Sequence, residues 1–312
     1  ILLTGASGFL GKGIVNHLER SHKHKLSLVF RKNDFSHGDR KFFVGDIDNS
    51  TDFYESLYRQ DVVIHTAARV HIMRDNSGEA ISKFRKVNVE GTLNLARQAV
   101  EAGVKRFIFV SSIKVNGEFT VGSKTFSEQD SPNPKDAYAL SKYEAEKGLM
   151  AIANSSDMEV VILRPPLIYG PDVKGNFETL IKVVKSNFPL PFGLLDNRRS
   201  LVALDNLVNL ITTCIDHPSA KNNVFLVSDG LDISSLDLVK EISRAYGAHP
   251  YIFSVSVSFM NIIANFLGKR QIAQRLFGNL RIDISKTCNL LDWKPTVSMA
   301  QQLKKMVDHD KS

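Results

Sequence analysis

Short apolar runs alternate with segments of helical periodicity along the first half of the chain. Six runs predict strands, at residues 1–3, 26–30, 41–44, 61–68, 106–110 and 160–163. Between them apolar residues recur at helical spacing, as Ile14, Val15 and Leu18 do after the first run. Alternation of strands and helices is typical of a parallel sheet with helices on both faces, so the pattern predicts a doubly wound α/β fold.

The later part of the chain follows a less regular pattern. Residues 224–230 predict a late strand and turn, and residues 233–246 predict an amphipathic helix. Residues 256–267 are unusually apolar for a surface helix. Such a helix can pack inside the C-terminal part of the protein or contact a membrane surface, and we expect packing without membrane contact.

A glycine-rich turn, TGASGFLG at residues 4–11, joins the first strand to the first helix. Gly5 permits a tight turn, Gly8 leaves the backbone open to a pyrophosphate, and Gly11 allows the helix to pack close to the sheet. The helix N-terminus adds free N–H groups and a partial positive charge that favour phosphate. The turn therefore predicts a dinucleotide site that involves Gly5, Ser7, Gly8, Phe9 and Leu10.

The second strand ends in Arg31 and Lys32. An acidic residue roughly 20 residues past the glycine turn would bind the ribose 2′-hydroxyl of NAD, whereas a cation there suits the 2′-phosphate of NADP. Asp34 lies close enough in the sequence to keep NAD open. NADP(H) is therefore favoured as the cofactor, with NAD(H) as the alternative.

Further candidates for cofactor contact follow the third and fourth strands. Asp46 can accept a hydrogen bond from an adenine amino group, and Ile47 follows it. His65 is expected to be packed or hydrogen-bonded rather than catalytic, and Asn88 is expected to hold a water or a main-chain carbonyl near the site. Small residues that leave room for a cofactor in the crevice at the carboxyl end of the fourth strand are Thr66, Ala67 and Ala68.

Tyr138 and Lys142 lie four residues apart at the start of a helix for which Asp136 is a suitable N-cap. A tyrosine has a pKa of about 10. A lysine on the same helical face, together with the charge of an oxidised nicotinamide, favours the phenolate. Such a phenol can act as general acid or base while hydride passes to or from the nicotinamide. Ser112, after the fifth strand, can hydrogen-bond the same substrate oxygen.

The same spacing recurs in Tyr143 and Lys147. Five residues of helix rotate by roughly 140°, so only one of the two pairs can face the cofactor. Tyr138 and Lys142 are preferred because they lie near the start of the helix, close to the carboxyl ends of the strands.

Composition limits the class of protein. The 312 residues are 43% hydrophobic, so a substantial core is possible and disorder is not expected. The net charge of +7 includes no concentrated basic tract, so anionic ligands fit and nucleic acid is not expected. The two cysteines, Cys214 and Cys288, predict neither a disulfide framework nor a metal site.

No apolar run in the sequence is long enough to span a membrane, and we expect a cytoplasmic protein. The sequence starts at Ile1, inside the first predicted strand. We therefore expect a short preceding segment and leave an N-terminal signal open.

Together these motifs resemble the extended short-chain dehydrogenase/reductases, and among them the NAD(P)-dependent nucleotide-sugar epimerase/dehydratase family. The resemblance covers nearly the whole chain and is carried by residues 4–11, Asp46, HTAA at 65–68, Asn88, Ser112, Tyr138 with Lys142, and Arg164-Pro165. It implies a Rossmann doubly wound sheet at residues 1–167, to which 201–229 return. It also implies a smaller C-terminal substrate-binding domain at 168–200 and 230–312.

The resemblance assigns roles to individual residues. Tyr138 is the acid/base, Lys142 lowers its pKa and holds the ribose, and Ser112 orients the sugar hydroxyl or ketone. Asp46 contacts the adenine, and Pro165 belongs to the segment that places the nicotinamide amide. No metal is implied.

The resemblance also implies where a UDP-sugar binds. Asn176 lies in a segment that meets the substrate diphosphate and nucleobase, and residues 189–193 resemble a segment that lies along the uracil. Arg199 matches an arginine that binds a substrate phosphate, for which its forked guanidinium is suited, with Asp205 capping the next helix. A second phosphate arginine of the family lies near two candidates, Arg275 and Arg281.

The segment SSIKVNGE at residues 111–118 limits which reaction of the family is expected. Ile113 and Lys114 stand where 4,6-dehydratases of the family carry an Asp-Glu pair, so dehydration is not expected, and Lys114 is placed with the substrate. Asn116 stands where many members have tyrosine. The segment resembles a bacterial subgroup that acts on UDP-N-acetylhexosamines in surface-polysaccharide pathways.

Three functions stay open at this point. A 4-ketoreductase of a UDP-4-keto-6-deoxy-N-acetylhexosamine takes a fresh NADPH, which Arg31 favours, and this is the leading hypothesis. A UDP-glucose or UDP-N-acetylglucosamine 4-epimerase instead retains NAD and returns the hydride to the other face. A non-catalytic dinucleotide sensor is disfavoured because Ser112, Tyr138 and Lys142 occur together. The family also implies a homodimer through the helices that carry Asn88 and Tyr138.

Overall fold

The computed structural model describes residues 1–32, 40–70, 79–266, 268 and 276–311. Asp34 and Arg275 lie outside these ranges. The described strands are β1 (Leu2–Thr4), β2 (Ser27–Phe30), β3 (Arg40–Phe43), β4 (Val62–His65), β5 (Arg106–Val110), β6 (Glu159–Arg164), β7 (Ile168–Tyr169), β8 (Arg199–Ser200), β9 (Val202–Ala203), β10 (Asn223–Leu226) and β11 (Asp232–Ile233).

The described α-helices are α1 (Phe9–Ser21), α2 (Tyr54–Leu57), α3 (Glu79–Arg85), α4 (Thr92–Glu101), α5 (Ala137–Asn154), α6 (Asn176–Lys185), α7 (Leu204–Asp216), α8 (Ser235–Tyr246), α9 (Val257–Phe266), α10 (Ser285–Leu291) and α11 (Met299–Lys311). A π-helical turn (Lys86–Gly91) joins α3 to α4, and short 3₁₀ turns cover Ile113–Val115 and Pro218–Ala220.

Seven parallel strands form the central sheet, in the order β3-β2-β1-β4-β5-β6-β10. Leu2 is paired with Ser27 on one side and with Val63 on the other. From β1 the next strands are added toward one edge of the sheet, and from β4 they are added toward the other edge. Such a switch in strand order opens a ligand crevice at the carboxyl ends of the strands. The doubly wound α/β prediction is confirmed.

Two apolar cores cover the faces of the sheet. On one face α1 and α7 bury side chains such as Leu18 and Ile211, and on the other face α4 and α5 bury side chains such as Leu95 and Leu149. All four side chains are fully buried, and each such side chain contributes about 1.5–3 kcal/mol to folding. The sheet is thereby fixed as a rigid base for the loops at its carboxyl edge.

A third core lies beyond the sheet, among α6, α8 and α11. Two small two-stranded sheets accompany it, β7 with β9 and β8 with β11. Leu291 and Trp293, late in the chain, pack instead into the core between the sheet and α7. We call the third core, with its helices and the two small sheets, the C-terminal layer. Residues late in the chain therefore contact both this layer and the central sheet.

Two predicted elements differ in detail from the structure. The strand predicted at 61–68 ends at His65, where the Thr66 hydroxyl donates to the Thr4 carbonyl (2.7 Å) and the chain turns away from the sheet. The helix predicted from residue 87 begins with the π-helical turn, which contains Asn88. No helix in the described part of the chain has the length and hydropathy needed to cross a bilayer.

Candidate active site

The glycine turn after β1 lies directly against the loop after β4. Gly5 has a φ of 74°, and a Cβ atom on it would lie 2.6 Å from Thr66 Oγ1 and 2.7 Å from the Ala67 nitrogen. A Cβ atom on Gly11 would lie 2.0 Å from the Gly5 carbonyl oxygen. Only glycine fits at these two positions, because the two loops and α1 approach one another at the backbone.

The N-terminus of α1 fits a dinucleotide phosphate. Gly8 caps the helix without a side chain, and no acidic residue lies in the first turn. Ser7 and Gly8 are exposed, and the first N–H groups of a helix, here including those of Phe9 and Leu10, have no partner within the helix. Backbone donors without a competing side-chain cap, at the positive end of a helix, suit an anionic ligand.

Arg31 and Asp46 form an exposed ion pair at the ends of β2 and β3, with 3.5 Å between Arg31 Nη1 and Asp46 Oδ1. An exposed pair of this kind contributes at most about 1 kcal/mol, so both side chains can exchange partners at low cost. Ile47 lies half-buried beside them and closely contacts the backbone of Gly91.

His65 is a buried, hydrogen-bonded residue of the sheet, as the sequence predicts. Its Nδ1 lies 2.6 Å from Thr4 Oγ1 and its Nε2 lies 3.0 Å from Thr92 Oγ1. Burial, with a smaller effect of the Lys142 charge, lowers the pKa of His65 to about 3. The imidazole is therefore neutral near pH 7 and packs behind the crevice.

Asn88 holds the loop after β4 against α5. Its Oδ1 accepts from the Arg69 nitrogen (2.8 Å), and its Nδ2 donates to the Arg69 carbonyl (3.0 Å) and to Ser141 Oγ (2.9 Å). The expected bond to a main-chain carbonyl is present. The carboxamide thus fixes the backbone that follows Thr66, Ala67 and Ala68.

Tyr138 lies in the first turn of α5, which Asp136 caps by accepting from the Ala139 nitrogen (2.7 Å). Burial raises the pKa of the Tyr138 phenol above its usual value, and the Asp136 carboxylate raises it further. The sequence predicts that Lys142 lowers the pKa of Tyr138. Among the protein's own groups the net effect on this pKa is instead a rise, because removal of the phenol from water opposes its ionisation.

Lys142 is buried one turn further along α5. Its Nζ donates to the Val110 carbonyl (2.8 Å) and lies 4.3 Å from the centre of the Phe109 ring. Burial lowers the pKa of Lys142 to about 7, against the opposing effect of the Glu146 carboxylate. The bond to Val110 ties α5 to the end of β5, two residues before Ser112.

Ser112 caps the 3₁₀ turn after β5, where its hydroxyl oxygen accepts from the Lys114 nitrogen (3.3 Å). The Ile113 nitrogen donates to the Pro165 carbonyl (2.9 Å), so the ends of β5 and β6 are joined at this edge. The structure thus brings the segments of Ser112, Tyr138, Lys142 and Pro165 together. The second tyrosine–lysine pair is separate, with Lys147 over the Tyr143 ring at 5.8 Å.

A buried charged cluster behind the site was not predicted. Arg164 Nη2 lies 2.5 Å and its Nε 3.0 Å from the Glu146 carboxylate oxygens, and Arg164 Nη1 donates to Asn116 Oδ1 at 2.9 Å. The Ser111 hydroxyl also donates to Glu146. In the sequence, this cluster is indicated only by Arg164 at the end of an apolar strand and by Glu146 on a helix face that is otherwise apolar.

The residues predicted for the substrate lie in the C-terminal layer and at the 3₁₀ turn. Asn176 is exposed at the first residue of α6, and Lys114 Nζ lies 2.5 Å from Asp136 Oδ2. Arg199, in β8, donates from Nη1 to the Gly278 carbonyl (2.9 Å). Arg281 is bonded to Asp232 (2.7 Å).

The prediction that Asp205 caps α7 is wrong. Ala203 stands at the N-cap, and Asp205 lies inside the first turn, where its carboxylate accepts from Lys305 Nζ (2.7 Å). The helix begins earlier than predicted because the Ala203 nitrogen is held by Asp229 (2.8 Å). Within the described ranges, no cluster of three or more potential metal ligands is present.

Comparison with known proteins agrees with this geometry. Residues 1–228 match the NAD dependent epimerase/dehydratase family. A UDP-glucose 4-epimerase of Vibrio cholerae is 46% identical over 305 residues, which cover 97% of this chain and 93% of the relative. A relative from Escherichia coli O157:H7, an N-acetyl-alpha-D-glucosaminyl-diphospho-ditrans,octacis-undecaprenol 4-epimerase, is 26% identical over 256 residues, 78% of this chain and 72% of the relative.

Solved structures show the same fold. A UDP-glucose 4-epimerase of Thermotoga maritima with UDP-glucose has a TM-score of 0.78 at 22% identity, covering 99% of this chain and 98% of that chain. A UDP-glucuronic acid 4-epimerase of Bacillus cereus in complex with NAD has a TM-score of 0.78 at 21% identity, with the same coverage. The resemblance drawn from the sequence motifs is confirmed, and the chain belongs to the NAD dependent epimerase/dehydratase family.

Proposed function

We propose that the protein is a UDP-sugar 4-epimerase that retains NAD. The relative with 46% identity across almost the whole of both chains carries this proposal. It supports epimerisation more than the reduction that leads on the sequence alone. The cluster of Ser112, Tyr138 and Lys142 segments at the crevice supports acid–base work at a sugar hydroxyl.

The crevice between β1 and β4 would hold the dinucleotide. The backbones of Gly5, Ser7, Gly8, Phe9 and Leu10 would bind the pyrophosphate. Asp46 and Ile47 would contact the adenine, and Thr66, Ala67, Ala68 and Asn88 would line the crevice. Lys142 would hold the nicotinamide ribose, and Pro165 would lie against the nicotinamide. A nicotinamide bound there supplies a reversible acceptor for the hydride at the sugar C4 carbon.

Tyr138 would move the proton of the same reaction. As the phenolate, it would take the proton of the 4-hydroxyl when the ketone forms, and as the phenol it would return that proton when the alcohol is restored. Because burial raises the pKa of Tyr138, the phenolate depends on nearby positive charge, which Lys142 supplies when it is protonated. Ser112 would donate to the same sugar oxygen.

The C-terminal layer would bind the rest of the substrate. We assign residues 168–200 and 230–312 to this layer and residues 1–167 with 201–229 to the sheet. Arg199 and Asn176 would contact the diphosphate, residues 189–193 the uracil, and Lys114 the sugar. Two copies would associate through α4 and α5.

Reduction of a UDP-4-keto-6-deoxy sugar with NADPH is the second candidate. The observation that favours it is the exposed Arg31 guanidinium at the end of β2, which would bind a 2′-phosphate once it leaves Asp46. Arg31→Asp is expected to weaken NADPH binding more than NADH binding, measured by titration of nucleotide fluorescence.

The first test is the nucleotide released when the purified protein is denatured. Stoichiometric NAD⁺ supports the epimerase, and an empty site that prefers NADPH supports the reductase. The second test is interconversion of UDP-glucose with UDP-galactose, and of the N-acetyl analogues, followed by chromatography. Tyr138→Phe should lower the rate by about 10²–10⁴-fold, with Tyr143→Phe as the matched control on the same helix. Equal rates for the two variants would refute the assignment of Tyr138.

A further inference from the structure

Lys114 makes a close ion pair with the residue that caps the catalytic helix. Its Nζ lies 2.5 Å from Asp136 Oδ2, and the two side chains are 31% and 35% exposed. Glu118 is the second acidic neighbour, with Oε1 at 4.0 Å from the same ammonium. The half-buried Asp136 carboxylate is thus held by a cation from a separate element.

Asp136 fixes the first turn of α5 and also places a negative charge close to Tyr138. Its other oxygen, Oδ1, accepts from the Ala139 nitrogen at 2.7 Å and so fixes the first turn in which Tyr138 stands. Its negative charge, two residues before Tyr138, raises the pKa of the phenol. The backbone nitrogen of Lys114 in turn donates to Ser112 Oγ (3.3 Å). One residue therefore contacts both the serine and the helix cap.

Other charged groups lie on α5 and on the elements that pack against it. On α5 itself Lys142 is held by Val110, and Glu144 is paired with Arg85 of α3. On the π-helical turn, Lys86 is paired with Asp48. α3 also carries Glu79 and Lys83, and the π-helical turn carries Glu90. α5 itself carries Glu146 and Lys147, and α4, which packs against it, carries Arg97 and Glu101.

We propose that Lys114 is a positioning residue that acts on Tyr138 through Asp136, by holding the capping carboxylate in place and offsetting its charge. The proposal rests on the assignment of Tyr138 as the acid/base. It gives Lys114 a function in the proton transfer that is separate from any contact with the sugar. Loss of the ammonium leaves the carboxylate charge uncompensated beside the phenol, which disfavours the phenolate.

The charges of Lys114 and Asp136 fix the direction in which the pH profile of the reaction should move. Lys114→Gln should move the ascending limb of the pH profile of kcat/KM to higher pH, by roughly half a unit for this partly exposed pair. Asp136→Asn keeps a good N-cap and removes the negative charge, so the limb should move to lower pH. In the Asp136→Asn background the flexible Lys114 ammonium is released toward solvent and Glu118, so Lys114→Gln should cause less than half of its original shift.

The test is the set of four proteins, wild type, Lys114→Gln, Asp136→Asn and the double variant, assayed with the UDP-sugar that is turned over. Lys105→Gln is the control for loss of a lysine charge, because Lys105 makes an exposed ion pair with Asp61 (2.9 Å) at the amino ends of β4 and β5, and its profile should match wild type. Lys114→Arg should restore the profile. Thermal unfolding of each variant checks that the fold is retained.

Two results would overturn the proposal. One is a Lys114→Gln profile that coincides with wild type. The other is a shift of equal size in both backgrounds, because Lys114 would then act without Asp136. A rise in KM with an unchanged profile is a form of the first result and assigns Lys114 to sugar binding only. If Lys114→Gln does not fold, an Asp136→Asn profile that does not move to lower pH refutes it. Failure of the proposed function is distinct, since it would appear in the wild-type protein, as no interconversion of UDP-glucose with UDP-galactose or of the N-acetyl analogues.

Discussion

Replacement of Glu146 by glutamine would leave the Arg164 charge buried without a counter-charge. The two side chains are only 4% and 5% exposed, so solvent cannot take over the role of the carboxylate. Removal of one partner from a buried pair costs about 3–5 kcal/mol. At about 2–4 °C per kcal/mol for a chain of this size class, the melting temperature should fall by roughly 6–20 °C.

The assay is thermal and urea unfolding, followed by circular dichroism. Glu144→Gln is the matched control on the same helix, because Glu144 pairs with Arg85 at the surface, where the two side chains are 26% and 46% exposed. An exposed pair contributes at most about 1 kcal/mol, so the control should lose only a few degrees.

The double variant Glu146→Gln with Arg164→Gln removes both charges and should be more stable than Glu146→Gln alone. Losses of equal size for Glu146→Gln and Glu144→Gln would refute the reasoning. So would a double variant that is less stable than Glu146→Gln by the full cost of a second buried charge. Ser111 and Asn116 keep their contacts with the cluster in the single variant, so the charge is the change being measured.

Two further predictions concern the sheet and its first turn. Gly11→Ala should destabilise the protein by about 1–3 kcal/mol or more and abolish NAD retention, because its Cβ would lie 2.0 Å from the Gly5 oxygen. The control Gly13→Ala meets only the Leu204 side chain at 3.1 Å and should keep the nucleotide; equal nucleotide loss in both would contradict the packing argument. His65 has a pKa of about 3 when folded and about 6.5 when unfolded, so the unfolded chain binds the proton first as pH falls. As the pH is lowered past about 6.5, the free energy of unfolding should therefore decrease by up to about 1.4 kcal/mol per pH unit. Urea unfolding at a series of pH values measures this slope, and the contribution of His65 should be absent in His65→Gln.

Elements that depend on local chemistry were predictable from the sequence. The strand at 106–110 and the N-cap at Asp136 occur where the pattern places them. A continuous apolar run and a capping side chain act within a few residues, so their effect can be read without the fold. The positive φ of Gly5 is a property of the same kind.

Features that depend on the approach of distant segments were not predictable. Glu146 and Arg164 become partners only when α5 packs on the sheet beside β6. Asp205 was misplaced because the start of α7 is fixed by Asp229, far along the chain. The ion pair of Lys114 with Asp136 likewise joins the 3₁₀ turn after β5 to the N-cap of α5. In each case the partner is chosen by tertiary packing, which a local pattern does not contain.

The position of β10 at the sheet edge has a consequence for synthesis of the chain. β6 lies between β5 and β10 in the finished sheet, but residues 223–226 are made about sixty residues after β6. At about 5–20 residues per second, the β6 edge stays unpaired for roughly 3–12 s on the ribosome. An open apolar strand edge invites pairing with other chains. The nascent protein is therefore most exposed to aggregation while residues 165–222 are being translated, and a chain truncated before Asn223 keeps that edge open.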